Sequence, residues 1–223
     1  MFTHDTFKFL SDLEHHNNRE WFEQNKDRYQ NGVLFPALDF IEQMHPLLQS
    51  FAPHFEAIPK KVGGSLMRIY RDVRFSRDKS PYKTNIGIQF RHELGKDIHA
   101  PGFYVHIAND ECFLGVGCWQ PEANTLGKIR DWIAQSPDKW FSACPQNDSE
   151  EWRLWGSKTS RPPHGYATDH RAIEDLKRKD FVLVSSMTSD EVLDAALVDL
   201  VAERFKSTVP FMQLLCQATN VQF

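Results

Sequence analysis

The sequence predicts an α+β domain: a central antiparallel sheet of about five strands, with N-terminal and C-terminal helices packed on it. Three observations carry that expectation. Up to Phe51 the apolar side chains repeat with helical spacing; from Arg68 to Trp119 they alternate between short turns; beyond Glu122 helical spacing returns, interrupted by one apolar strand at Phe181. No repeat, low-complexity tract or interdomain linker divides the 223 residues, so a single domain spanning 1–223 is expected.

In chain order, residues 2–16 carry Phe7, Leu10 and Leu13 on one face, with Thr3 as N-cap. Asn18 is placed to cap a second helix, NREWFEQNKDRYQNG, which Gly32 would end. A third runs from Pro36 through Leu38, Ile41 and Met44 towards Phe51, or the two form one long helix with a kink. Pro53 to Pro59 marks the change of period. In Arg68 to Phe75, Ile69, Val73 and Phe75 share one face and Arg68, Tyr70, Asp72 and Arg74 the other, the pattern of a half-buried strand. The loop SRDKSPYKT leads to a strand from Asn85 to Arg91 with Ile86, Ile88 and Phe90 inward. Strands from Phe103 to Ala108 and from Cys112 to Trp119 follow, joined by a short turn at Asn109 and Asp110. Links this short make an antiparallel meander.

Glu122 to Cys144 reads as helix with a break at Pro137, and Gln146 to Tyr166 is the least regular part of the chain. There Trp152 and Trp155 suggest packing against something. A short helix from Ile173 to Lys179 precedes the apolar strand Phe181 to Ser186. Thr188 and Glu191 then form a capping box for one helix whose stripe runs from Val192 to Phe205, and a closing helix spans Val209 to Gln217.

With 41% hydrophobic and 25% charged residues, composition is that of a globular protein. No apolar run approaches the ~18 residues of a membrane span, and the N-terminus lacks the apolar core of a secretory signal. The four cysteines are scattered; Cys112 and Cys118 fall in one strand, roughly 20 Å apart, too far for a disulfide. Reduced core thiols in a cytoplasmic protein are expected.

Charge is distributed unevenly. Lys60 to Arg91 holds nine Lys and Arg against Asp72 and Asp78, a local +7 in a chain of net −4. A basic element in an acidic protein points to an anion. Arg68, Arg71, Arg74, Ser76, Asp78, Lys79, Tyr82 and Lys83 are the expected ligand-binding residues, because a phosphate or carboxylate needs several convergent donors. Arg19 and Lys26, on the helix with Trp21, Asn25 and Tyr29, are further contributors, while Asn25 itself reads as a structural clamp. Asp72 and His106 are the candidate acid–base groups, His106 sharing a strand face with Tyr104. There is no GxSxG, P-loop, GxGxxG, HExxH or Cys/His ligand spacing, so neither cofactor nor metal is expected.

Two stretches, NNREWFEQNKDRY and RIYRDVRFSRDKSPYKTNIG, resemble the signatures of a family of conserved hypothetical proteins known only as a domain of unknown function. The resemblance extends to PGFYVHI, GVGCWQP, RPPHGYATDH and LKRKDF, and so covers nearly the whole chain. Gly115 and Gly117 around Val116 depart from a usual Gly-Gly, and HELGKDIHA before Pro101 resembles an insertion. The resemblance implies a single-domain member and no established activity.

Three functions therefore compete. The first is binding of a small anionic ligand, extending to an enzyme on a phosphorylated substrate. The second is an interaction module for nucleic acid or an acidic protein, with Tyr70, Phe75 and Tyr82 interleaved among the cations; a pI near 6.2 disfavours nucleic acid. The third makes the charges an internal network that orders the domain. No membrane partner is expected, and oligomeric state is not encoded in any pattern found.

Overall fold

A computed structural model describes residues 1–95, 100–144 and 151–223. Positions 96–99 of HELGKDIHA and 145–150 of the irregular stretch lie outside the described residues.

Alternation creates the sheet. Ile86, Ile88 and Phe90 on β2 (Ile86–His92), Phe103, Val105 and Ile107 on β3 (Gly102–Ile107), Leu114 and Val116 on β4 (Cys112–Cys118), and Phe181 and Leu183 on β6 (Phe181–Met187) are all buried. Two short strands complete it at the edges, β1 (Phe55–Glu56) and β5 (Arg153–Trp155), giving six antiparallel strands in the order β1-β2-β3-β4-β6-β5. Strands of two and three residues are too short to display a period, which is why neither is visible in the sequence.

Among the described residues the helices pack on one face. α1 (His4–His15) leads into α2 (Arg19–Gln24), whose N-cap Asn18 accepts from the Trp21 amide at 3.0 Å. α3 (Lys26–Tyr29), a π-helical turn at Gln30–Leu34 and α4 (Phe35–Phe51) then follow almost without interruption. The path is thus the single kinked one, and Gly32 lies inside the π turn instead of ending a helix. The Gly32 carbonyl accepts from the buried Thr6 hydroxyl at 2.7 Å, which ties this turn to α1. After the sheet come α5 (Ala123–Gln135), α6 (Pro137–Ala143), α7 (Ile173–Leu176), α8 (Ser189–Leu193), α9 (Leu197–Ser207) and α10 (Val209–Thr219).

The capping box forms as expected, Thr188 accepting from the Glu191 amide at 3.1 Å and Glu191 from the Thr188 amide at 2.7 Å. The expected single helix, however, is two. Asp194 leaves helical geometry and its carboxylate accepts from the Ala196 amide at 2.8 Å, a local bond that competes with helix propagation. The inner layer is aromatic: Phe103 lies 5.1 Å from Phe55 and 4.9 Å from Phe205 between ring centroids.

The strand expected from Arg68 to Phe75 does not form. Those residues belong to an irregular excursion between β1 and β2 that closes on itself through Arg71 N–H to Pro81 O at 2.9 Å and Lys83 N–H to Ile69 O at 2.7 Å. Its apolar face is covered only in part: Ile69 packs against the core and Val73 is half-buried, but Phe75 is 96% exposed. With burial this incomplete, alternation of three side chains does not outweigh the free energy of ordering them as a strand.

Tyr82 is the largest buried side chain of the excursion and anchors its end. Tyr82 stacks on Phe22 at 4.2 Å and 19°, while the Asn17 amide clamps its backbone, donating to Tyr82 O at 2.9 Å and accepting from Tyr82 N at 3.0 Å. The two signature stretches of the sequence therefore meet here. Replacement Asn17→Ala should lower stability to urea by about 1–3 kcal/mol, two lost hydrogen bonds at about 0.5–1.5 kcal/mol each. Asn17→Asp, which keeps only the acceptor, should fall between; an unchanged midpoint in both would show that the clamp is idle.

Candidate functional site

The same pleat that fills the helical layer directs alternate residues to the opposite face. Register sets them in three rows across β2, β3, β4 and β6: Gly87, His106, Phe113, Ser186; then Gln89, Tyr104, Gly115, Val184; then Arg91, Gly102, Gly117, Val182. β5 extends the second row with Arg153 and the third with Trp155. Four of these positions are glycine, and three of them, Gly102, Gly115 and Gly117, lower the floor of a cavity of about 690 Å³ that Tyr104, His106, Phe113, Val182 and Val184 also line. That volume suits a small ligand. Lys83, Asn85 and Met67 from the excursion, Asp110 and Glu111 from the β3–β4 turn, and Trp119 beyond β4 also line it.

The glycines have different reasons. At Gly117, φ is +129° and an added Cβ would fall 2.0 Å from the Phe181 carbonyl oxygen, so the backbone itself demands glycine. At Gly115 nothing lies closer than 3.6 Å to an added Cβ, an ordinary contact. A glycine in mid-strand is destabilising relative to alanine by roughly 0.5–1 kcal/mol. Packing gives no reason to bear that loss, whereas an open cavity floor does.

His106 is held by its neighbours. Its Nδ1 lies 3.0 Å from the Tyr104 hydroxyl and 3.5 Å from Asn85 Nδ2, and its ring stacks on Phe113 at 4.6 Å and 11°. The Asn85 amide nitrogen only donates, so Nδ1 accepts and the proton of the neutral ring sits on Nε2. Burial pushes the His106 pKa below 6.5, partly offset by Glu111 and Asp110. Burial, with Glu111, raises the Tyr104 phenol to about 12, so it stays a proton donor. Gly87 makes room for this pair, since an added Cβ would fall 2.9 Å from the Tyr104 hydroxyl.

Of the residues read from sequence, Lys83 and His106 reach the cavity. Lys83 is half-buried and has no acidic partner among the described residues; burial, then Arg68, lowers its pKa. Tyr82, next to it, faces the other way as the buried anchor. The others do not line the cavity. Asp72 is exposed and takes a fork from Arg74, with bonds of 2.6 and 2.9 Å, which holds its carboxyl near 2. Asp78 accepts from Ser80 at 2.6 Å and from Arg71, which together lower its pKa strongly. Lys79 donates to Val73 O at 2.9 Å and Lys26 pairs with Glu23 at 3.1 Å. Arg68 and Arg19 are exposed, and Ser76 is half-exposed outside the cavity. Asn25 is half-buried and bonds locally, its amide donating to Trp21 O at 2.9 Å and its oxygen accepting from Arg28 at 2.9 Å.

Arg153, Trp119, Trp155 and the glycine floor were missed. Arg153 and Trp155 sit on the three-residue strand whose period is unreadable. The glycines, by contrast, left a signal: Gly115 and Gly117 share a strand face two residues apart. Among the described residues no group of three or more His, Cys, Asp or Glu could hold a metal, and no helix is long and apolar enough to cross a membrane.

Because burial lowers the His106 pKa, the unfolded chain takes up a proton before the folded one does as pH falls below 6.5. The contribution of this residue is complete above that pH and is lost as pH falls through its lower native value. His106→Gln should flatten this part of the stability–pH profile relative to wild type; parallel profiles would contradict the burial argument. Gly115→Ala should fold and gain up to about 1 kcal/mol in urea denaturation.

No curated protein matches the chain. A family model described as conserved hypothetical protein (DUF2461) matches residues 5–214, and the chain belongs to that family.

Proposed function

We propose that the protein binds a small ligand carrying one anionic group, a carboxylate or phosphate, in the cavity on the open sheet face, with Lys83 holding the anion. The observation that carries this reading is the half-buried Lys83 ammonium, without an acidic partner among the described residues, on the wall of a ligand-sized cavity. A partly desolvated cation is stabilised by an anion brought to it. Arg153 adds a second cation to the lining, and exposed Arg68 strengthens the positive potential near Lys83. His106, with its proton on Nε2, supplies an acid–base group in the same space, so the reading extends to chemistry on the bound molecule.

The alternative, an interaction module for nucleic acid or an acidic protein, draws on exposed Tyr70 and Phe75, with the Arg74 guanidinium 5.9 Å from the Phe75 ring. Against it, Arg71 and Arg74 are already paired with Asp78 and Asp72. Asp110 and Glu111 on the cavity edge would also repel a polyanion while tolerating one charge placed at Lys83. A cytoplasmic location fits the four buried free thiols.

Titration with benzoate and with inorganic phosphate, followed by calorimetry and amide shifts, tests the reading. At least one should bind wild type. Lys83→Ala should weaken that binding by about tenfold or more, the effect of losing a charged hydrogen bond worth about 1.5–3 kcal/mol. Arg74→Ala should leave it unchanged. Loss of binding in Arg74→Ala with retention in Lys83→Ala would return the site to the excursion.

A further inference from the structure

Cavity and clamp together narrow the ligand class. Trp119 and Trp155 both line the cavity, on either side of β6, and remain 43% and 49% exposed. Trp140 and Trp152, by contrast, are at 0% and 4%. Two strand spacings, about 10 Å, separate β4, which Trp119 directly follows, from β5, which bears Trp155. The row that leads to Trp155 runs Gly102, Gly117 and Val182, with Gly115 and Val184 beside it, a low floor of glycine backbone and two valines.

Both indoles are set by one buried carboxylate. Asp180, 4% exposed, accepts from the Gln120 amide at 2.9 Å through Oδ1, and from the Ser157 amide at 3.0 Å and hydroxyl at 3.2 Å through Oδ2. Gln120 follows Trp119 and is held at φ +46°, an uncommon conformation for a non-glycine residue. Gly156 follows Trp155 at φ +116°, and a Cβ there would lie 2.5 Å from Asp180 Cβ. The chain is thus bent tightly immediately after each indole, and the same carboxylate fixes both bends.

We infer that the ligand's body is a flat aromatic or heteroaromatic ring, laid over the low floor of Gly102, Gly117 and Val182 against Trp119 and Trp155, with Asp180 as the positioning residue for both indoles. This deepens the anion-cavity reading and rests on it for the place of the charge. A floor of glycine backbone and short valine side chains accepts a planar group closely, and indole faces reward one with stacking that a saturated ring does not obtain. A puckered or branched body would stand off the floor and lose both contacts. Arg153, in the row beside Trp155, can lie over a π face as well as meet a charge.

The probes are naphthoate and its fully saturated analogue, decalin carboxylate, which share charge and carbon skeleton and differ in flatness. Naphthoate should bind wild type about tenfold tighter and quench tryptophan fluorescence. Asp180→Asn, which exchanges an acceptor oxygen for a donor nitrogen, should weaken naphthoate about tenfold while leaving decalin carboxylate within about twofold. Trp119→Leu, which leaves the clamp intact, should reproduce that selective loss if Asp180→Asn folds poorly. Equal affinity for the two probes, both lost in Lys83→Ala, overturns the ring class and leaves the anion reading standing. Tight naphthoate binding that survives Lys83→Ala supports the ring class and overturns the anion reading. Binding of neither probe overturns the ring class.

Discussion

One constraint organises the molecule: the pleat of a sheet that packs one face against helices and lines a cavity with the other. Because each strand sends alternate residues to the helices, the aromatic contacts that hold Phe55, Phe103 and Phe205 together also dictate which residues stand on the other face. A one-residue slip would exchange the two sets. The core therefore fixes the position of Tyr104, His106, Gly115 and Gly117, although none of them belongs to it. Hydrophobic burial sets the geometry of the open face, and the open face is where the chemistry collects.

The excursion between β1 and β2 joins that face from outside the sheet. Its charge looked like the site itself, yet much of the charge is consumed locally: Arg71 with Asp78, Arg74 with Asp72. Such exposed, solvent-screened pairs contribute little to stability, enough to shape a loop and too little to explain a fold. What fixes the excursion is Tyr82, held by Phe22 and by the paired hydrogen bonds of Asn17. With Tyr82 turned into the helices, Lys83 is left to the cavity. The two signature stretches thus act jointly, the first as a socket and the second as the plug that carries the lysine.

Legibility in the sequence followed the strength of local periodicity. The α+β class, the strands around Ile88, Val105, Leu114 and Leu183, the Asn18 cap and the Thr188–Glu191 box were all readable, because each is a pattern within a few residues. Arg68 to Phe75 alternates without becoming a strand, since nothing beyond the excursion covers Phe75. The long helix after Thr188 was misread because the stripe from Val192 to Phe205 continues across the break that Asp194 makes. The cavity was only partly legible: His106 and Lys83 stood out by residue type, while Arg153, Trp155 and Asp180 gain meaning only when β4, β5 and β6 lie side by side. Register is a long-range property, and no short stretch displays it.

The central claim is that the ligand lies on the glycine-floored face rather than on the charged excursion. Glycine backbone amides fall in their own nitrogen shift range, which makes the floor directly observable in a titration of isotope-labelled protein with benzoate. The amides of Gly102, Gly115 and Gly117 should move together and saturate, while those of Gly63 and Gly165, whose surroundings are open, stay fixed. Shifts confined to residues 71–80, with the three floor glycines unmoved, would contradict the account.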